Sequence, residues 1–177
     1  MSVGSLYQYF PNKHAILYRL QVDEWARTGA MIEAILSDEE RSPADRLRDT
    51  TRAFFLSECE EAPYRRALDA AAPVWQDTPQ TTVGRERSRR VVAAFLAAAA
   101  PYASAAQRDF ASEILFLTIT SVGKQVSERL GPGVATTGEG EARSGVEALA
   151  DAIAAMLTNY LAELGRPQGT MPTWASD

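Results

Sequence analysis

Residues 3–13, Val-Gly-Ser-Leu-Tyr-Gln-Tyr-Phe-Pro-Asn-Lys, leave the chain little freedom in how it can be arranged. Leu6 and Phe10 are four apart, so on a helix they share one apolar face that must rest on something. Ser5, Tyr7, Gln8 and Tyr9 fall on or near the opposite side. These residue types hydrogen-bond base edges or phosphates. Gly4 has no side chain and lets another backbone come close. Pro11 stops the short helix, and Asn12 is a good N-cap for the next one. Lys13 then sits in a first helical turn, where backbone N–H groups already favour a phosphate.

The rest of the chain reads as a succession of helices. From Asn12 to about Ser37, Leu17, Leu20, Trp25, Ile32, Ile35 and Leu36 keep a helical stripe. Ser42-Pro43-Ala44-Asp45 supplies a cap, a proline at the first helical position and an acid in the first turn. The helix that follows is expected to run to about Glu61. Leu47, Thr51, Phe54 and Phe55 face inward, and Glu58, Glu60 and Glu61 crowd a frayed end. Pro63 is expected to open a separate short helix that Pro73 closes. Thr78-Pro79 starts another, to about residue 100, whose Arg85–Arg90 run reads as a solvated face. Ser104-Ala105-Ala106-Gln107 is a capping box. The helix it starts is apolar nearly all round over Ile114–Val122, so it is buried on more than one side. Gly131-Pro132-Gly133 is expected to end it, with a loop over 131–140. A last helix, about 142–164, carries Val146, Leu149, Ile153, Met156, Leu157, Tyr160 and Leu161 beside the small Ala148, Ala152 and Ala155. Gly165 and Pro167 stop it.

Composition fits a helical protein with a sizeable core: 177 residues, 46% hydrophobic and 23% charged. No stretch reads as a membrane span or a signal peptide. The single cysteine, Cys59, has no internal disulfide partner, and a cytoplasmic location is the simple reading. The net charge of −5 argues against a protein that coats nucleic acid along its whole surface. Residues 1–22 hold Lys13 and Arg19 and no acid, a slightly basic head on an acidic body. Catalysis has little support. His14 is the only histidine, Cys59 precedes two glutamates that would raise its pKa, and no metal spacing or phosphate loop is present. No cofactor and no metal are expected.

The segment from Gly4 through Leu6-Tyr7, Phe10, Asn12, Lys13 and Ile16-Leu17 closely resembles the recognition helix and following linker of the TetR family of transcriptional regulators. The resemblance implies an all-α fold: a helix-turn-helix head, then a helical body that binds an effector and dimerises. It implies domains at 1–22 (the head remnant), 23–165 (the body) and 166–177 (a flexible tail). In that family a first helix and the positioning helix of the motif precede this point. Met1-Ser2 stands where Val-Ser is common, and a valine codon can serve as a start, so a longer natural protein is expected. The resemblance places Ser2, Val3, Gly4, Ser5, Tyr7, Gln8, Tyr9 and Lys13 at DNA. Ser5 and Gln8 would meet bases, and Tyr7, Tyr9 and Lys13 phosphates. It also implies a two-fold four-helix bundle built from the last two long helices, through Ile114, Leu117, Val122, Val146, Leu149, Ile153, Met156, Leu157 and Tyr160. Trp25, Phe54, Phe55, Tyr64, Trp75, Phe116 and Thr120 are the candidates for a cavity that takes a small, largely apolar effector. Each aromatic taken singly also fits ordinary core packing. The expected function is a DNA-binding regulator, usually a repressor, released from double-stranded operator DNA by that effector. The alternative is a dimeric small-molecule-binding module that does not touch DNA.

Overall fold

The computed structural model describes residues 13–69, 79–134 and 139–167, with side chains at 16, 19, 20, 22–62, 86–130 and 140–167. The described residues form five helices and no strand: α1 (Lys13–Leu36), α2 (Pro43–Asp69), α3 (Pro79–Ala99), α4 (Ala105–Val134) and α5 (Glu139–Leu164). The expected DNA-contacting residues from Ser2 to Tyr9 lie outside them, as do Trp75 and the chain beyond residue 167.

Local chemistry explains where two of the helices begin. Ser42 caps α2: its Oγ accepts from the Asp45 N–H at 3.1 Å and donates to the Asp45 carboxylate at 2.7 Å. The start of α4 is a reciprocal capping box. The Gln107 N–H donates to Ser104 Oγ at 3.3 Å, and the Ser104 N–H donates to Gln107 Oε1 at 2.8 Å.

Two expected breaks are absent. α2 runs through Pro63 to Asp69 as one helix. A proline holds a helical φ, but inside a helix it forgoes its own N–H bond and its ring crowds the carbonyl four residues back, a loss of about 3 kcal/mol. α2 packs extensively on both α4 and α5, which offsets that loss. Glu58, Glu60 and Glu61 therefore lie within the helix and not at its end. Likewise α4 continues through Gly131-Pro132-Gly133 to Val134, and α5 starts at Glu139, earlier than expected.

α2 is the central element, with α4 and α5 against it, and α1 crosses α2 and α3. One core joins Leu36, Leu47, Phe95, Leu96, Ala111, Leu115, Leu157 and Leu161. A second joins Phe55, Cys59, Val126, Val146 and Ala150. Each fully buried large side chain contributes about 1.5–3 kcal/mol. The surface ion pairs contribute less, typically about 0–1 kcal/mol each, so burial and not charge pairing holds the helices together. Arg46 is an exception to the rule that charges stay outside. It is buried, donates from Nη1 to the Leu36 carbonyl at 2.9 Å, and lies 5.5 Å from the centre of the Phe95 ring. It thereby ties the C-terminal end of α1 to α2 and α3.

Candidate functional site

Three helices each contribute one stripe of side chains to an open cleft of about 290 Å³. Trp25 and Thr28 come from α1, three apart. Phe54, Glu58 and Glu61 come from α2, at successive helical turns. Thr120 and Lys124 come from α4, four apart. The spacing alone puts each set on one face of its helix, and the packing of α1 and α4 on α2 brings the faces together.

The Phe54 ring is seated against Gly123 of α4. A methyl group at Gly123 would stand 2.9 Å from Phe54 Cε1, inside any real contact. The missing side chain thus lets the ring lie back against α4 and leaves the cleft open. Thr28 Oγ1 donates to Glu61 Oε1 at 3.5 Å, a long bond that joins α1 to α2 across the cleft. Thr120 Oγ1 donates to the Phe116 carbonyl at 2.7 Å, so its proton is engaged by its own helix and its lone pairs remain for a ligand. Trp25 is 51% exposed, which for so large an apolar side chain is an open surface and not core packing.

The structure brings together three of the expected effector contacts, Trp25, Phe54 and Thr120. Phe55 does not reach the cleft. It is fully buried with Cys59, Val126, Val146 and Ala150, because neighbours on a helix point about 100° apart. Phe116 lies on the same α4 stripe as Thr120 but is 67% exposed and outside the lining. The side chains of Tyr64 and Trp75 lie outside the described residues. Sequence reasoning missed Thr28, Glu58, Glu61 and Lys124. The 54–58–61 spacing was visible in the sequence, but placing a helix end at Glu61 concealed it.

The residues expected at a subunit interface divide into three sets. Val146 and Leu157 are buried inside the chain against α2 and its neighbours. They belong to the internal core, one step round the helix from the outer face. Ile114, Val122, Ile153 and Tyr160 are half-buried. Leu117, Leu149 and Met156 are exposed, with Leu117 at 60% and Met156 at 53%. On α5 the exposed Gly145, Ala148, Leu149, Ala152, Ala155, Met156 and Asn159 share a face that carries no charge.

At the head, Lys13 is the first residue of α1. Arg87 of α3 pairs with Glu33 of α1 at 2.5 Å, a second tie between α1 and the body. Among the described residues, no group of three His, Cys, Asp or Glu side chains could hold a metal ion. Among them too, no helix is long and apolar enough to cross a membrane.

The chain matches no curated protein. A family model described as tetracyclin repressor-like, C-terminal domain, matches residues 42–164. That span takes in α2 through the whole of α5 and two of the three helices that line the cleft. Through this domain the chain belongs to the TetR family of regulators.

Proposed function

We propose that the protein is a dimeric, ligand-responsive DNA-binding regulator, acting as a repressor, whose effector enters the cleft between α1, α2 and α4. One observation carries this reading: α1 forms a wall of the cleft through Trp25 and Thr28, and its other end is the exit to residues 3–13. A ligand that wedges between α1 and α2 must act on the helix that carries the head. Near its C-terminal end, α1 is held by Arg46 at Leu36 and by Arg87 at Glu33. Tilt at the cleft is therefore expressed at the Lys13 end. In a dimer, such a tilt changes the spacing of two recognition helices that must reach successive major grooves.

The dimer forms through α4 and α5. Leu117, Leu149 and Met156 lie on exposed surfaces of two helices that pack together. Small residues on α5 allow a second helix to approach closely. Ser5 and Gln8 read bases, while Tyr7, Tyr9 and Lys13 hold phosphates.

A gel shift on the promoter next to the protein's own gene tests the reading. Both this chain and one lengthened upstream in frame are assayed. A retarded band from either chain, lost on adding a ligand that occupies the cleft, is the expected result. Ligand binding with no retarded band from either chain would leave a small-molecule-binding module in its place.

A further inference from the structure

We propose that Gly123 of α4 sets the size of ligand that the cleft between α1, α2 and α4 admits, and that it acts through the Phe54 ring. This rests on reading the cleft as the ligand site. Gly123 is buried and is not itself part of the lining. Its neighbour Phe54 is. Inside a helix a glycine is about 1 kcal/mol less favourable than an alanine. Local propensity therefore argues against a glycine here, and the close approach of α2 is what its missing side chain serves.

A methyl group at Gly123 would meet two rings at once: Phe54 Cε1 at 2.9 Å and Cδ1 at 3.1 Å, and Phe55 Cδ1 at 3.2 Å. Carbon atoms pack at about 3.5–4.0 Å, so the Phe54 ring would have to retreat by about 0.6 Å or more. The two rings are not equally free to yield. Phe55 is fully buried in the second core, with Cys59, Val126, Val146 and Ala150 around it. A close-packed interior shifts only at the cost of strain. Phe54 is half-buried and has the cleft on its open side. Its ring therefore moves into the cleft. At about 290 Å³ the cleft is already at the lower end of the range of about 300–1,000 Å³ found for small-molecule sites, so the intrusion excludes larger ligands first. Conversely, a smaller side chain in place of Phe54 deepens the cleft with Gly123 unchanged. This filter works on ligand size whatever charge the ligand carries.

Equilibrium dialysis of the full chain against benzyl alcohol, naphthylmethanol and anthracenylmethanol tests this, since the three are uncharged and grow by one fused ring at a time. Gly123→Ala is expected to weaken naphthylmethanol about tenfold and benzyl alcohol by less than about twofold. Adding Phe54→Leu to that variant is expected to return naphthylmethanol to within about threefold of its native affinity. Phe54→Leu alone is expected to bind anthracenylmethanol about tenfold tighter than the native chain does. Far-ultraviolet circular dichroism checks folding, and Phe54→Leu alone decides the question if Gly123→Ala does not fold. If Gly123→Ala weakens the two smaller alcohols equally or weakens neither, or if Phe54→Leu fails to produce the expected gain, Gly123 does not set the size limit. Trp25→Ala separates that failure from failure of the site, because Trp25 lines the cleft from α1, and it is expected to weaken naphthylmethanol in either case. If Trp25→Ala changes nothing, or the native chain binds none of the three alcohols, the cleft is not the ligand site and both readings fall.

Discussion

Phe54 and Phe55 are adjacent in sequence but have separate roles. Phe54 borders the cleft against Gly123, and Phe55 fills the second core completely. Phe55→Ala is therefore expected to cost about 3–5 kcal/mol of unfolding free energy. Phe116→Ala, at an exposed position, should stay within about 0.5 kcal/mol. Urea denaturation of both variants checks this, and equal losses would contradict the assignment. At the head, Lys13→Ala should weaken binding to every DNA sequence and reduce the salt slope, since a phosphate contact carries no base information. Gln8→Ala should instead alter sequence preference. Binding measured on matched and mismatched duplexes over a salt series separates the two, and equal losses on every duplex for both variants would count against these roles.

At the scale of the element, much was legible. The caps at Ser42 and Ser104 are local hydrogen-bond patterns, and a few residues suffice to specify them. The breaks expected at Pro63 and at Gly131-Pro132-Gly133 were not legible, because tertiary packing outweighs local propensity along α2 and α4. The same limit hid half of the cleft. Glu58, Glu61 and Lys124 share a cleft only because α4 lies across α2. The pairing of α2 with α5 is also non-local. Arg52 donates through two nitrogens to the Asp151 carboxylate, and this bond, ahead of the wider charge attraction, holds the carboxyl below its ordinary range. A depressed carboxylate contributes stability above its unfolded pKa and loses it as pH falls through the folded value. The loss thus begins as pH drops below about 4. Arg52→Gln should make the protein less stable at neutral pH and flatten its stability-versus-pH curve below that point. Chemical denaturation from neutral to acidic pH measures it, and an unchanged slope would exclude the pair as a cause.

For the molecule as a whole, the internal core and the outer apolar face are built from the same two helices. Val146 and Leu157 turn inward on α5, while Leu149 and Met156 turn outward one step around it. The periodicity in the sequence identified the helix but not which of its two apolar faces the chain keeps for itself, since both are apolar at helical spacing. The outward face is where a second copy would sit, and two copies are what a pair of DNA half-sites requires. Replacing Leu117 and Met156 with glutamate together should separate the subunits without unfolding them, since both side chains are already exposed.

The most direct measurement is sedimentation of a labelled promoter duplex with the upstream-lengthened chain and with its Leu117→Glu, Met156→Glu variant. Two copies per duplex for the native residues, and loss of that complex for the variant at preserved helicity, are the predicted results. A single copy bound, an unchanged complex with the variant, or a duplex that never binds would contradict the account.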